Sequence, residues 1–288
     1  MLLLLALLQG IDSTVPAERG QRLEVGSYAG EIAVTAWSRN AVRVEADPSG
    51  SATVEIDRSA TAVTIRTQGR RGPPSSVDLR ISAPAWMPLD LSGVNTEISV
   101  AGSRATIAAE TVQGDVRVEG GEGLVSLRSV QGGVSLSGAK GRLEVHSVNA
   151  DVEVVGSSGE VTAETVNGDV TLSRVNGSSV TASSLNGDVD YDGPIRDGGR
   201  YALSTHNGGI TVTVAEGTNA AVSVSTFNGE FASEFPVTLT ETRKGKRFGF
   251  RLGNGSAQVT LESFQGSIEL VRPGAARGAP GDDDHDEE

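Results

Sequence analysis

Four aspartates recur at the same place in a repeated pentapeptide, and they are the residues best placed for metal chemistry. They are Asp115, Asp151, Asp169 and Asp188. If successive repeats stack as strands, their carboxylates lie roughly 5 Å apart, so a row of calcium ligands is one interpretation. The other is a turn residue facing solvent. We favour the turn residue, because other repeats carry no acid at this place, as at Gly133, Gly209 and Ser267.

The remaining residues that commonly do chemistry give no catalytic pattern. The three histidines, His146, His206 and His285, lack metal-ligand spacing to one another, and the chain has no cysteine. No phosphate-binding loop, zinc-binding helix motif or nucleophilic serine elbow occurs in the sequence. The sequence therefore predicts no catalytic residue, no metal site and no cofactor.

An apolar or aromatic residue precedes the amide residue of each pentapeptide. The candidate interaction surface that it defines consists of Val148, Val166, Leu185, His206, Phe227 and Phe264. Strict alternation from Thr165 points Val166 outward. An exposed apolar stripe of this length is typical of a binding surface. The alternative is that the corner of the fold turns these side chains inward.

One short cationic cluster stands out in an acidic chain. Its basic residues are Arg243, Lys244, Lys246 and Arg247. Counting back 18 residues from Gln265 places this cluster at a turn. It is a candidate contact for anionic lipid or an anionic cell-wall polymer. The alternative is a solvated loop.

These candidates are positioned by an internal repeat. An amide residue recurs at positions 95, 113, 131, 149 and 167, which is a step of 18 each time. The series continues at 186, 207, 228 and 265, and the last step is about two repeats long. Within each repeat, two short runs of alternating apolar and polar residues are separated by turns rich in glycine and asparagine. This pattern predicts a strand–turn–strand–turn unit.

Such a unit cannot bury its apolar face alone, but stacked copies can. Equivalent strands then lie about 4.8 Å apart, and like residues form ladders along the stack. Asn149 and Asn167 belong to an expected amide ladder, and Ser147 and Thr165 to a hydroxyl ladder beside it. We therefore predict an all-β fold, a single-stranded β-helix or β-solenoid with coils of about 18 residues. We expect a right-handed coil, although the sequence does not determine the hand.

Composition limits the partners. The net charge of −13 argues against nucleic acid, which requires a cationic surface. The 37 glycines and 4% aromatic residues suit many tight turns around a thin core. The absence of cysteine excludes disulfides and indicates nothing about the redox compartment.

Three segments are expected along the chain. Residues 1–17 resemble a secretory signal, with the apolar run Leu2–Leu8 and a small-residue cleavage site at Val15-Pro16-Ala17, although no basic residue precedes the run. The alternative is a buried N-terminal element. Residues 18–271 form the solenoid, and residues 272–288 form a disordered acidic tail. We expect export to the periplasm, cell envelope or medium, with no transmembrane helix in the mature chain.

The repeat also resembles a known family. The resemblance is based on Gly30-Glu31-Ile32-Ala33-Val34 with Trp37, on the repeated Val-Asn-Gly-Asp-Val turns, and on the closing Phe264-Gln265-Gly266-Ser267-Ile268. Over residues 20–271 the chain is similar to the bacterial adhesin-like domains called toastrack domains. The resemblance implies a single-stranded β-helix of the cell envelope, with no catalytic residues to transfer.

Two function classes follow. The first is a non-enzymatic envelope module for adhesion, scaffolding or stress sensing that binds an unidentified envelope protein or polymer. The second is a polysaccharide-active lyase or hydrolase, because β-helices also host such enzymes. We favour the first, because the sequence shows no clustered acid pair outside the aspartate row and its aromatic residues are scattered. The oligomeric state is not determined by the sequence.

Overall fold

The computed structural model describes residues 11–49, 52–69, 76–237, 240–241 and 246–274, and they form 25 β-strands. In chain order these are β1 (Ile11–Pro16), β2 (Arg22–Trp37), β3 (Ala41–Pro48), β4 (Ala52–Arg58), β5 (Ala62–Gly69), β6 (Val77–Pro84), β7 (Leu89–Ser103), β8 (Ile107–Thr111), β9 (Val116–Gly120), β10 (Glu122–Ser129), β11 (Val134–Ser137), β12 (Lys140–His146), β13 (Val152–Val155), β14 (Ser158–Asn167), β15 (Val170–Ser173), β16 (Asn176–Asn186), β17 (Val189–Asp192), β18 (Arg200–Asn207), β19 (Ile210–Thr213), β20 (Ala220–Asn228), β21 (Phe231–Ser233), β22 (Thr240–Glu241), β23 (Lys246–Leu252), β24 (Ala257–Gln265) and β25 (Ile268–Val271). No helix in these ranges is long and apolar enough to cross a bilayer.

The strands form because their residues alternate between a buried and an exposed side. In β24 every second residue from Ala257 to Ser263 is buried, and the residues between them are exposed. The core consists mainly of valine, leucine, isoleucine and alanine. Full burial of one such valine or leucine side chain contributes about 1.5–3 kcal/mol, so many small residues can hold a thin core together.

The interior coils stack in register, which confirms the predicted β-solenoid. Leu143 of β12, for example, lies opposite Val125 of β10 on one side and Val161 of β14 on the other. Each interior coil has a strand on a first face, such as β14, and a strand on a second face, such as β15. The turn that leads from the first face to the second carries the amide residue, and we call this edge the amide corner.

The order of the coils departs from the chain order at the C-terminal end. Strand β24 lies between β18 and β20, and it is parallel to both. On the second face, β25 lies between β19 and β21 in the same way. The last coil is therefore inserted between the coils that carry His206 and Phe227.

The long last step of the repeat is a hairpin followed by this inserted coil. Strand β23 runs antiparallel to β20 and places Arg247 opposite Ser225. The prediction that the cationic cluster lies at a solenoid turn is therefore wrong for Arg247. The physical reason is packing at the open end of the solenoid, where Phe248 and Phe250 of the hairpin contact Phe231.

Antiparallel strands also occur at the N-terminal end. Strand β3 pairs antiparallel with β6, β4 with β5, and β1 with β3. Strand β1 overlaps the predicted signal, and residues 1–10 lie outside the described part of the chain. Residues 275–288 of the predicted tail lie outside it as well. The three segment boundaries and the hand of the coil stay predictions.

Candidate functional site

Nine side chains form one row along the amide corner, on successive coils, and we call this row the corner stripe. In spatial order they are Val94, Val112, Val130, Val148, Val166, Leu185, His206, Phe264 and Phe227. Val130 is half-buried and the other eight are exposed. All six residues predicted as an interaction surface thus lie together on the surface, and their binding role stays a prediction.

The stripe faces outward because the residue before it faces inward. Thr165 is buried, and its hydroxyl donates a hydrogen bond of 2.8 Å to the carbonyl oxygen of Ala150. The next side chain along an extended strand points to the opposite side. Val166 is consequently 38% exposed and Leu185 is 47% exposed. The alternative in which the corner turns these side chains inward is wrong.

The last three residues of the stripe form an aromatic stack. The ring centroids of His206 and Phe264 lie 4.6 Å apart with an interplanar angle of 3°. Those of Phe264 and Phe227 lie 4.9 Å apart with an angle of 1°. Parallel rings at these centroid distances fit the offset-stacked geometry that aromatic pairs favour, and the strand spacing of the coils brings the rings this close. Phe227, at the outer end of the stack, is 62% exposed.

A cleft of about 610 Å³ borders the aromatic stack. Besides His206, Phe227 and Phe264, its lining includes Ser204, Ser225, Glu262 and Arg247. Sequence reasoning did not predict this cleft, because the cleft depends on the insertion of β24 and on the hairpin strand β23. The aromatic residues at a shared position of the repeat were the available signal.

The amide ladder supports the stripe from the side of the turn. The Asn167 side-chain amide donates to the Asn149 side-chain oxygen at 2.9 Å, and the Asn186 amide donates to the Asn167 oxygen at 2.8 Å. Asn207 continues the row with a bond of 2.7 Å to Asn186. These bonds confirm that Asn149 and Asn167 lie on adjacent coils. They also fix the backbone that presents the stripe.

The glycine after the amide allows a close approach of successive coils at several corners. Gly187 has a φ of +150°, and a Cβ placed on it would lie 2.0 Å from the carbonyl oxygen of Gly168. A side chain at Gly187 would push its coil away from the coil that carries Gly168. Thr96 and Ala150 occupy the equivalent place in their coils, so glycine is a requirement of particular corners rather than of every corner.

The hydroxyl ladder lies directly beneath the stripe. The buried serines and threonines of the inner coils donate to a carbonyl oxygen of the neighbouring coil, as Ser184 does to Gly168 and Thr205 to Gly187, both at 2.8 Å. Thr226, on the outermost coil of this row, is 4% exposed, and its hydroxyl has no hydrogen-bond partner among the described residues.

The recurring aspartates hold neighbouring coils together. The Asp151 carboxylate accepts a hydrogen bond of 2.8 Å from the backbone N–H of Asp169, and Asp169 accepts one of 2.8 Å from Asp188. Asp188 in turn accepts from the N–H of Gly209 at 2.7 Å. These contacts give the aspartates a structural role that is more specific than that of a solvated turn residue. Among the described residues, no group of three or more histidine or acidic side chains lies in a metal-binding arrangement.

The predicted cationic cluster is only partly described. Arg243 and Lys244 lie outside the described residues. Lys246 begins β23, and Arg247 is exposed beside the aromatic stack. Contact of this cluster with an anion stays a prediction.

Most other aromatic residues in the described part of the chain lie away from the corner stripe, whereas Tyr28, 38% exposed, lies opposite Val94 at its far end. Tyr191 and Tyr201 are buried, and their ring centroids lie 5.6 Å apart in an edge-to-face arrangement. Burial raises the pKa of the Tyr191 hydroxyl well above its usual range. Trp37 and Trp86 lie near the N-terminal end, where Arg39 and Arg19 cover their ring faces.

The stacked coils, the inward hydroxyl row and the outward stripe define a β-solenoid of the toastrack type. Residues 11–271 match the family model described as Toastrack DUF4097, and the chain belongs to this family. The resemblance expected from the repeated turns is thereby confirmed. No curated protein is significantly similar to the chain.

Two solved structures are similar over most of their length. A "putative cell adhesion protein" from Clostridium sporogenes has 10% sequence identity and a TM-score of 0.23, and the match covers 92% of this chain and 100% of that one. A "putative lipid binding protein" from Parabacteroides distasonis has 11% identity and a TM-score of 0.31, with 92% and 97% covered. At these TM-scores neither structure supports an inference about function.

Proposed function

We propose that the chain is a non-enzymatic module of the cell envelope and that the corner stripe is its interaction surface. The observation that carries this proposal is the row of exposed apolar side chains on successive coils. The hydroxyl row beneath them holds the coil, so the fold itself does not need apolar residues on the outside. Nine coils at about 4.8 Å give a stripe about 38 Å long, which is long for a surface without a partner.

The proposed location is the periplasm, the cell envelope or the medium. It rests on the apolar run Leu2–Leu8, which we propose to be part of a secretory signal. An exported adhesion module, scaffold or stress sensor meets other envelope components directly. A surface that binds an envelope protein or polymer suits each of these roles.

The polysaccharide-active enzyme is supported less well. Glycoside hydrolysis generally uses two carboxyl groups that face each other across the substrate. Of the described residues, Glu262 is the one acid that lines the cleft beside the aromatic stack. Three of the recurring aspartates, Asp151, Asp169 and Asp188, are engaged by backbone N–H groups of the next coil. An activity screen on acidic polysaccharides tests this alternative.

The test of the proposal is binding of the labelled chain to isolated envelopes of the producing cells. We expect the wild-type chain to bind and the double variant Leu185→Asp, Phe227→Asp to lose at least about tenfold in affinity, because both changes place a charge on the apolar stripe. The matched control is Leu124→Asp, since Leu124 is 46% exposed on the first face away from the stripe.

Melting curves show whether each variant is folded. Equal binding by the double variant and the wild-type chain would overturn the proposal. So would equal losses in the double variant and in the Leu124→Asp control.

A further inference from the structure

We infer that the occupant of the corner stripe is a basic, apolar polypeptide segment of a partner protein. This inference rests on the proposed function and names the partner of the same surface. It follows from the charges that lie on both sides of the stripe, together with the length and width of the stripe.

Acidic residues flank the stripe on both faces of the solenoid. On the second-face side, three residues after the stripe, the acids are Glu97, Asp115, Asp151, Asp169, Asp188 and Glu230. On the first-face side, two residues before the stripe, they are Glu110, Glu164 and Glu262. The same two rows contain two basic residues, Arg128 and His146. The Nδ1 atom of His146 lies 3.4 Å from the Oε2 atom of Glu164. The second-face row thus holds six acids and no basic residue, whereas on the first-face side Glu110 lies opposite Arg128 and Glu164 opposite His146.

The hydrogen bonds of the aspartate ladder leave this charge at the surface. Asp151 and Asp169 each use one carboxylate oxygen to accept a backbone N–H of the next coil, and both residues are exposed. A carboxylate has two oxygens and can accept further hydrogen bonds. A lysine or arginine of a bound segment can therefore reach these groups without displacing the ladder.

Four basic residues of this chain lie in or near the flanks. Arg128 and His146 belong to the first-face row, Arg117 pairs with Asp115, and Arg247 borders the cleft at the aromatic end. The acids of the second-face row other than Asp115 have no basic neighbour within the two rows. Charges within about 8 Å interact at physiological ionic strength, so the flanks act on whatever contacts the stripe.

The charge pattern disfavours two other occupants. A second copy of this chain would place the same acidic rows against each other, and like charges at close range are unfavourable. An anionic lipid surface would meet the same repulsion. A partner that combines apolar groups with positive charge meets no such electrostatic repulsion from the acidic rows.

The dimensions favour a single segment over a broad protein face. The stripe is about 38 Å long, and with a width of about 10 Å it offers about 400 Å². A stable globular interface buries about 800 Å² on each partner. An extended chain rises about 3.3 Å per residue, so about 12 residues span the stripe.

The aromatic end offers apolar ring faces, but its charge is mixed. Phe227 is 62% exposed, and Glu262 and Arg247 both line the cleft beside it. Because Arg247 places a positive charge in this cleft, a lysine or arginine of the segment gains less there than beside the second-face acids. We therefore expect the aromatic rings to contact the apolar residues of the segment and the second-face acids to contact its basic residues.

The experiment compares two labelled peptides of about 14 residues, slightly longer than the span of the stripe, by fluorescence anisotropy. One alternates leucine and lysine, and the other alternates leucine and glutamate. We expect the lysine peptide to bind at least about tenfold more tightly and to lose affinity as salt is added. Glu97→Gln, Glu230→Gln, which removes two exposed acids of the second-face row, should weaken the lysine peptide about threefold to tenfold. The matched control is Glu153→Gln, Glu269→Gln, which removes two exposed acids from the outer side of the second face.

Several outcomes overturn the inference. The first two are equal affinity for both peptides and equal losses of affinity in the flank and control variants. The third is stronger binding to phosphatidylglycerol vesicles than to neutral vesicles, which would indicate a lipid surface as the occupant. The fourth is a dimer in solution that Leu185→Asp dissociates, which would indicate a second copy of the chain. If envelope binding depends on the stripe while the peptides are not distinguished, the inference fails and the proposed function stands. If the stripe variants also bind envelopes normally, both fail.

Discussion

The hydroxyl ladder allows a test in which one substitution has opposite effects at two equivalent positions. Thr165 and Thr226 occupy the same place in their coils, and both are buried. The Thr165 hydroxyl donates a hydrogen bond of 2.8 Å to the carbonyl oxygen of Ala150, whereas the Thr226 hydroxyl has no partner among the described residues. Valine has nearly the shape of threonine but carries a methyl group in place of the hydroxyl.

The expected change in unfolding free energy follows from these contacts. Thr165→Val leaves the Ala150 carbonyl without its donor, and a buried unpaired group costs about 1–3 kcal/mol. The added methyl group returns about 0.8 kcal/mol, so the net loss is about 0.2–2 kcal/mol. Thr226→Val removes a buried hydroxyl that has no partner, so its effect lies between zero and a gain of about 1 kcal/mol.

Thermal unfolding followed by circular dichroism measures both variants. At about 2–4 °C per kcal/mol for a chain of this size, Thr165→Val should lower the melting temperature by up to about 8 °C. Thr226→Val should leave it unchanged or raise it. Equal decreases in the two variants would refute the assignment of the bond to Ala150 as the source of the effect.

Three further predictions concern the glycine turn, the first strand and the aspartates. Gly187→Ala should lower the melting temperature more than Gly217→Ala, because a Cβ at Gly187 meets the Gly168 carbonyl oxygen while a Cβ at Gly217 meets no atom within 4 Å. A chain that starts at residue 11 should be more stable to denaturant than one that starts at residue 18, because β1 pairs along its length with β3, whose Val42 and Val44 are buried. Millimolar calcium should leave the melting temperature unchanged, because among the described residues no three acidic or histidine side chains lie in a metal-binding arrangement; a rise would support calcium ligation.

The interior of the solenoid could be predicted from the sequence because one period governs it. The step of 18 residues places Asn149 beside Asn167, and their side chains are hydrogen-bonded in the structure. The alternation around Thr165 also indicated the outward direction of Val166. Each of these predictions depends only on a residue and its equivalent in the next coil.

The order of the coils at the ends could not be predicted in this way. Asn207 and Asn228 both pair in register with Gln265, so the repeat pattern fits either neighbour equally well. The choice depends on the hairpin formed by β22 and β23, whose phenylalanines cover the open end of the core. The hairpin residues in this contact do not follow the 18-residue repeat, so no periodic pattern in the sequence predicts it. The cleft beside the aromatic stack follows from the same contact.

The insertion of the last coil connects the fold to the candidate site. Phe264 lies between His206 and Phe227 only because β24 lies between β18 and β20. In a solenoid stacked in chain order, His206 and Phe227 would be direct neighbours and Phe264 would lie beyond them. The inward rows keep one kind of side chain from coil to coil because each must bond or pack against its equivalent. The outward stripe has no such constraint, so its change from valine to aromatic residues alters the surface that a partner meets while the coil beneath it stays the same.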